Sequence, residues 1–268
     1  MDVSTGTAVG DNGTILRKTD GGAWRLQTSG TTNSLYAVSF VNANTGTAVG
    51  DFGTILRTTN GGSTWTLQSA GTTDSLYGVS FADENTATAV GDLGTVLRTT
   101  DGGMTWTSQS SGTSHFLIGV TFVNASTGTA VGEGGTILRT TDGGASWTAQ
   151  SSGTTNSLYG VAFADANTGT VVGELGIILH TTDGGISWTA QSSGTIDYLD
   201  GVFFANPSTG TAVGNNGIIL RTTDGGATWR LQASGTTNWL LGVSFVDANT
   251  GTVVGNSGTI LHTSTGGG

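Results

Sequence analysis

Thr86-Ala-Thr-Ala-Val-Gly91, Asp92-Leu93-Gly94, Thr95-Val-Leu-Arg-Thr-Thr100, Asp101-Gly102-Gly103 and Thr105-Trp106-Thr107-Ser108-Gln109 read in succession as strand, turn, strand, turn and strand. Each strand run is short and β-rich, and each break is built from Gly and Asp, which supply the positive φ of tight turns. Upstream, Ser75-Leu-Tyr-Gly-Val-Ser-Phe81 is another β-rich run, closed by the turn cluster Ala82-Asp83-Glu84-Asn85. Four short antiparallel strands follow one another without a 3.6-period segment, and their apolar residues fall on both faces, as in a sheet packed between two neighbours. The same phrase returns along the whole chain. Its marker glycine stands at Gly10, Gly50, Gly91, Gly132, Gly173, Gly214 and Gly255, one step of 40 residues and five of 41. A fixed period of that length, with four strands in each copy, predicts an all-β chain folded as a β-propeller of four-stranded antiparallel blades.

Counting strands by type predicts the number of blades. The second and third strands of the repeat occur seven times, the first and fourth six times. The chain therefore starts at a second strand and stops at a third. Seven blades is the simpler reading, with the first lacking its innermost strand and the last its outermost. The rival is a six-bladed ring in which residues 239–245 complete the first blade and residues 247–268 are surplus, leaving unpaired edges. Either way residues 1–268 form one propeller domain, and an exchange of strands between chains to mend the incomplete blades stays open.

Composition narrows the function. Of the 268 residues 47 are Gly and one is Pro; 10% are charged and the formal net charge is −10. The eight Lys and Arg are dispersed along the sequence, so no phosphate-binding groove and no nucleic-acid partner is expected. The lack of Cys removes disulfides, thiol catalysis and Cys-based metal sites. No apolar run approaches the ~18 residues of a membrane helix, and no membrane insertion is expected. Nothing calls for a cofactor or a bound metal. Met1-Asp2-Val3-Ser4-Thr5-Gly6 matches the interior of a repeat, Val246-Asp247-Ala248-Asn249-Thr250-Gly251, so the start reads as trimmed. A targeting segment ahead of it would make the protein secreted, periplasmic or lumenal; the compartment is otherwise undetermined.

The turn between the third and fourth strands carries Ser/Thr-x-Asp-x-Gly-x-x-Trp. It is intact at residues 99–106, 140–147, 181–188 and 222–229, with Asp101, Asp142, Asp183 and Asp224 as its acids. Residues 58–65 carry Asn60 in place of the Asp, residues 18–24 (with Asp20) are one residue short, and the last copy stops at Thr265-Gly266-Gly267-Gly268. Chemistry assigns these Asp and Asn residues to the turn, where a carboxylate can accept backbone N–H bonds while the Trp covers the blade edge. The arginine of the third strand (Arg17, Arg57, Arg98, Arg139, Arg221, with His180 and His262 in the same slot) reads likewise as a fold position.

This motif at this period resembles the Asp-box, or bacterial neuraminidase repeat, propellers. The phrase T-T-D-G-G-x-T-W preceded by A-V-G-x-x-G-T-I-L-R is most similar to the photosystem II stability/assembly factor family, and the likeness spans the chain. That resemblance implies a chaperone-like role, docking a membrane-protein intermediate. Family members are associated with a basic surface patch, for which the sequence offers no counterpart. Sialidases share the box, and that resemblance would imply three arginines converging on a carboxylate, with a Tyr/Glu pair and an acid. Five of the seven arginines here occupy one repeated slot, while Arg25 and Arg230 follow repeated tryptophans. Asp197 and Asp200 are the only unusual acids close together for a glycosidase pair, and His115 has no Ser or Asp arrangement around it. The chain is therefore not expected to be an enzyme.

Positions where the copies differ are the candidate site. Three columns vary at the start of the first strand: Asn33, Asp74, His115, Asn156, Asp197, Asn238; then Ser34, Ser75, Phe116, Ser157, Tyr198, Trp239; then Tyr36, Tyr77, Ile118, Tyr159, Asp200, Leu241. In a propeller they would ring the mouth of the central channel, on the face bearing the strand four-to-one and two-to-three loops. Asp74, His115, Phe116, Asp197, Tyr198, Asp200, Trp239, Tyr36, Tyr77 and Tyr159 are the candidate ligand-binding residues, because aromatic faces beside carboxylates suit a short peptide or a sugar. The competing reading is drift on an exposed rim. The same face carries Asp11, Asp51, Asp92, Glu133 and Glu174, with Phe52, Leu93 and Leu175 beside them at hairpin tips. The reading adopted is a non-catalytic scaffold for a protein or peptide partner. The alternatives are a lectin-like propeller with a glycan partner, and a recently amplified or designed repeat without a specialised ligand.

Overall fold

The computed structural model describes residues 5–19 and 21–267, which form β-strands joined by turns, several of them single 3-10 turns. Seven antiparallel sheets follow in chain order. The first is three-stranded (Gly6–Gly10, Thr14–Lys18, Arg25–Gln27), five are four-stranded, and the last is again three-stranded (Leu240–Phe245, Gly251–Gly255, Thr259–Thr263). This is a seven-bladed β-propeller fold. The six-bladed alternative falls because Leu240–Phe245 pairs with Gly251–Gly255 in its own sheet, with Val243 opposite Val253. The first blade lacks an innermost strand and the last an outermost one, as the strand tally predicts. Residues 1–4 of the start read as trimmed, Asp20, and Gly268 of the last box copy fall outside the described residues. No helix among the described residues is long and apolar enough to cross a membrane.

The third blade shows how local sequence makes the sheet. Leu76–Phe81, Ala87–Gly91, Val96–Thr99 and Thr107–Gln109 pair in order, with Val79 opposite Ala89, Leu97 opposite Ala89 and Val96 opposite Gln109. The second strand is wholly buried and consists of small or β-branched residues, because it has neighbours on both edges and on both faces. Between it and the third strand, Asp92–Gly94 makes one 3-10 turn with Leu93 at φ 54° and Gly94 at φ 72°.

The chain divides into two compact units, residues 1–130 with 138–149, and residues 131–137 with 150–268. Within each, the core is made where consecutive blades meet. In the first unit, Val49, Ile55 and Ala70 of the second blade pack with Leu76, Ala89, Leu97 and Trp106 of the third. In the second, Val172 and Ile178 of the fifth blade pack with Leu199, Val202, Phe204 and Leu220 of the sixth. The leucine that opens each complete first strand (Leu35, Leu76, Leu117, Leu158, Leu199, Leu240) is no more than 2% exposed. Burying one such side chain contributes about 2 kcal/mol.

A β-bulge interrupts the first strand just after that leucine. The register slips between Leu35 and Ala37, Leu76 and Gly78, Leu158 and Gly160, Leu199 and Gly201, and Leu240 and Gly242. The skipped residue is Tyr36, Tyr77, Tyr159, Asp200 or Leu241, the third variable column. A bulge releases one residue from the ladder and re-aims its side chain.

Candidate binding site at the hairpin ends of the blades

Backbone bonds join the start of the first strand to the two-to-three hairpin of the same blade. The carbonyls of Ser34, Ser75, Ser157, Tyr198 and Trp239 accept from the N–H groups of Asp51, Asp92, Glu174, Asn215 and Asn256 at 2.8–3.1 Å. Main chain alone makes this clasp, so the side chains of the second column are free to be Ser, Tyr or Trp. The first column adds a side-chain clasp. Asn33 and Asn238 donate to the hydroxyls of Thr54 and Thr259, and Thr95 donates to Asp74 at 2.7 Å. Where Ile218 stands in place of that Thr, Asp197 instead accepts from Asn216 (2.8 Å) and Thr195 (3.1 Å). The backbone N–H of His115 donates to Thr113.

The bulge residues reach the hairpin acids. Tyr36 donates to Asp51 at 2.8 Å, Tyr77 to Asp92 at 2.7 Å and Tyr159 to Glu174 at 3.0 Å. Burial, and then the hydrogen bond and charge of Asp51, push the Tyr36 hydroxyl up to about 12. Tyr77 and Tyr159 are raised in the same way, burial first and the carboxylate bond second. Glu174 is lowered, chiefly by the N–H of Ser157. These acids stand outside the candidate set, although a signal for them exists in the repeats. The blades with Tyr on the bulge carry Asp or Glu in the hairpin, and those with Asp200 or Leu241 carry Asn.

In the first unit the candidate aromatics form a strip: Tyr36 lies 5.3 Å from Tyr77, and Tyr77 lies 6.4 Å from Phe116, centroid to centroid. Ser75 also donates to Asp51 at 3.3 Å, linking the third blade to the second. In the second unit Tyr159 and Tyr198 meet at 6.2 Å, and the Trp239 indole N–H donates to Asp200. Asp74 and Asp197 face the threonine and asparagine partners named above. A shallow open groove of about 670 Å³ lies beside the fifth-blade hairpin, lined in part by Asn156, Leu175, Ile177, Thr195 and Ile196. Among the described residues no three His, Asp or Glu side chains gather as a metal site.

Asp200 is the one acid here whose burial outweighs its partner. Desolvation raises its carboxyl to about 6 although the Trp239 N–H opposes the rise. The folded state therefore holds its proton to higher pH than the unfolded chain, so stability is full below about pH 4 and declines as pH rises through about 6. Asp200→Asn keeps the acceptor for Trp239 and removes the charge. It is expected to gain about 1 kcal/mol at pH 8, after discounting for solvent access, and almost nothing at pH 4. Urea unfolding at the two pH values measures the difference.

The opposite end of each blade holds the Asp-boxes. The Asp101 carboxylate accepts from the N–H groups of Met104 and Thr105 at 2.9 Å and from the hydroxyls of Thr99 and Thr105 at 2.7 and 2.6 Å. The bonds from Thr105 hold it down at about 2. Asp142 and Asp224 repeat this arrangement, as does Asp183, where the lowering is larger. Asn60 accepts from Thr64 N–H at 3.0 Å and returns a bond to the Thr64 hydroxyl at 2.9 Å.

The strand registers separate the charges. Every Lys and Arg lies toward the box end: Arg17 opposite Thr7 and Arg25, Arg57 opposite Thr47, Arg98 opposite Thr88, Arg221 opposite Thr211 and Arg230, with Lys18 and Arg139 in matching strand positions. The hairpin ends carry Asp11, Asp51, Asp74, Asp92, Glu133, Glu174, Asp197 and Asp200, and no Lys or Arg. The eight other acids among the described residues sit at the box ends, where the eight Lys and Arg match them in number. The excess negative charge of the described residues therefore belongs to the hairpin ends.

The sequence model described as photosynthesis system II assembly factor YCF48 matches residues 16–108, 60–148, 106–195 and 193–268. Among solved structures, YCF48 from Cyanidioschyzon merolae is similar over 98% of this chain and 91% of its own, with TM-score 0.78 and 22% identity. YCF48 bound to D1 peptide is similar over 97% of this chain and 85% of its own, with TM-score 0.75 and 20% identity. The GH74 xyloglucanase from Xanthomonas campestris shares the fold over 98% of this chain and 50% of its own, with TM-score 0.77 and 13% identity. No curated protein sequence matches significantly.

Proposed function

Since the chain belongs to the photosynthesis system II assembly factor YCF48 family, we propose that it is a non-catalytic docking propeller that binds a protein or peptide segment at the hairpin ends of its blades. The observation that carries this reading is the combination of a clasped, rigid backbone with variable aromatic side chains. The clasp is repeated with little change, while the second column alternates between Ser and exposed rings such as Tyr198 and Trp239, 36% and 40% accessible. Rigid main chain presenting large amphipathic side chains lowers the ordering cost of binding. A relative of the same fold is described as bound to D1 peptide, which supports a peptide as the occupant here.

The acids of this end support a binding role over hydrolysis. Asp74 accepts from Thr95, Asp197 from Asn216, and Asp200 from Trp239, so each is held by its own neighbour. Tyrosine hydroxyls and carboxylates that satisfy one another have fewer groups left for sugar hydroxyls, which favours a peptide over a glycan.

Peptide and glycan arrays probed with the same protein test the reading. Peptide signals are expected, and they should weaken at least about fivefold in a Phe116→Ser, Tyr198→Ser variant, since losing one interface aromatic commonly costs ~1 kcal/mol or more. Serine already fills this column at Ser34, Ser75 and Ser157, so the variant should fold. Saturable glycan binding without peptide binding would overturn the proposal in favour of a lectin.

A further inference from the structure

We infer that the first unit's hairpin ends bind a polypeptide segment in which Lys or Arg alternates with large apolar side chains, an inference that rests on the docking reading above. The anchor is an exposed apolar patch. Phe52 and Leu93 project from consecutive hairpins, 70% and 64% accessible, beside the Tyr36–Tyr77 pair whose hydroxyls bind Asp51 and Asp92. Both residues hold the left-handed conformation, φ 53° and 54°. Leu175 repeats the feature in the fifth blade at φ 54°, whereas the remaining blades fill that slot with Asn12, Gly134, Asn216 or Ser257, residue types that suit it better or expose less apolar surface. Neither the exposure nor the strain benefits the fold, because these side chains lie on its outside. Contact with another molecule is what such a placement serves.

Charge selects the occupant. Asp11, Asp51, Asp74 and Asp92 lie at these hairpin ends, whereas the unit's six Lys and Arg all lie toward the boxes. The tyrosine bonds fix the Asp51 and Asp92 carboxylates alongside the apolar tips. A segment that places cations against those carboxylates and apolar groups on Phe52 and Leu93 is complementary on both counts, and an acidic segment is repelled. A basic side chain would also meet the exposed ring of Tyr36 there.

Three labelled peptides test this by fluorescence anisotropy: alternating Lys-Leu, alternating Glu-Leu and alternating Ser-Leu. The Lys-Leu peptide is expected to bind, and to weaken as salt rises because the attraction is screened. Its affinity should fall about tenfold or more in Phe52→Gly, Leu93→Gly and in Asp51→Asn, Asp92→Asn. The glycine variant keeps the fold, since Gly134 occupies the same slot at φ 61°. The asparagine variant keeps acceptors for both tyrosines. Stronger binding of Glu-Leu or Ser-Leu would overturn the cationic partner and leave the docking reading standing. Lys-Leu binding unchanged in the glycine variant would overturn the site. No binding by any peptide would overturn both.

Discussion

Gly91→Ala is expected to lose about 3 kcal/mol of stability, read as a lowered urea midpoint, from the clash and the hydrogen bond that relieving it would break. Gly91 has φ −168°, an extended conformation open to any residue, so the loss does not come from backbone strain. A Cβ there would stand 2.0 Å from the Ser75 carbonyl oxygen and 3.0 Å from the Leu76 Cα, both backbone atoms. That oxygen is the one that accepts from Asp92 N–H at 2.9 Å. Moving it away would open the clasp and lift Leu76, which is fully buried, out of the core. The same approach recurs at Gly50, Gly173 and Gly214, at 1.9, 2.1 and 1.7 Å. Gly112→Ala is the control. Its φ is +74° with nothing within 4 Å of a Cβ, so it should lose only about 1 kcal/mol through the left-handed backbone. Equal losses in the two variants would remove the steric account of the marker glycine.

The second large effect lies at the other end of the blade. Arg98 Nε donates to the carbonyl of Gly143 at 2.7 Å, and Arg57 to that of Gly102 at 2.6 Å. In each case a third-strand arginine holds the box turn of the next blade. Arg98→Ala should cost about 2 kcal/mol, the usual loss for a charged hydrogen bond at a half-buried site, together with the packing of the side-chain stem. Arg98→Lys should recover only part of it, because an ammonium lacks the planar fork and sits differently over the glycines. Urea unfolding of the two variants beside the parent measures this, and a full recovery by Lys would reduce the latch to a matter of charge. His180 occupies the same slot without that bond. It rests against Thr170 at 3.3 Å, and burial lowers its pKa.

By itself the sequence determined what neighbouring residues decide. Gly-rich turns at the hairpins and boxes, with β-branched runs between them, specify four strands per repeat, and the strand tally favours seven blades over six, a choice that the pairing of Leu240–Phe245 with Gly251–Gly255 makes. The arginine slot is legible as a fold position because it recurs. Tertiary structure alone decided the relations between residues 15 to 45 apart. The bulge at Tyr77 breaks no sequence pattern, since the Leu-Tyr-Gly-Val run reads as continuous strand, yet it turns the ring onto Asp92. Gly91 reads as the last residue of a strand, yet its smallness serves the Ser75 carbonyl that crosses above it. Arg98 reads as a strand residue, and its partner Gly143 belongs to the next blade. Phe52 and Leu93 are visible in sequence as apolar tips, but their left-handed backbone and the one-sided charge around them appear only when the registers place every cation at the far end. Turn chemistry acts over a few residues and is written in them. Close backbone approach and inter-blade bonds depend on packing, which no local pattern records.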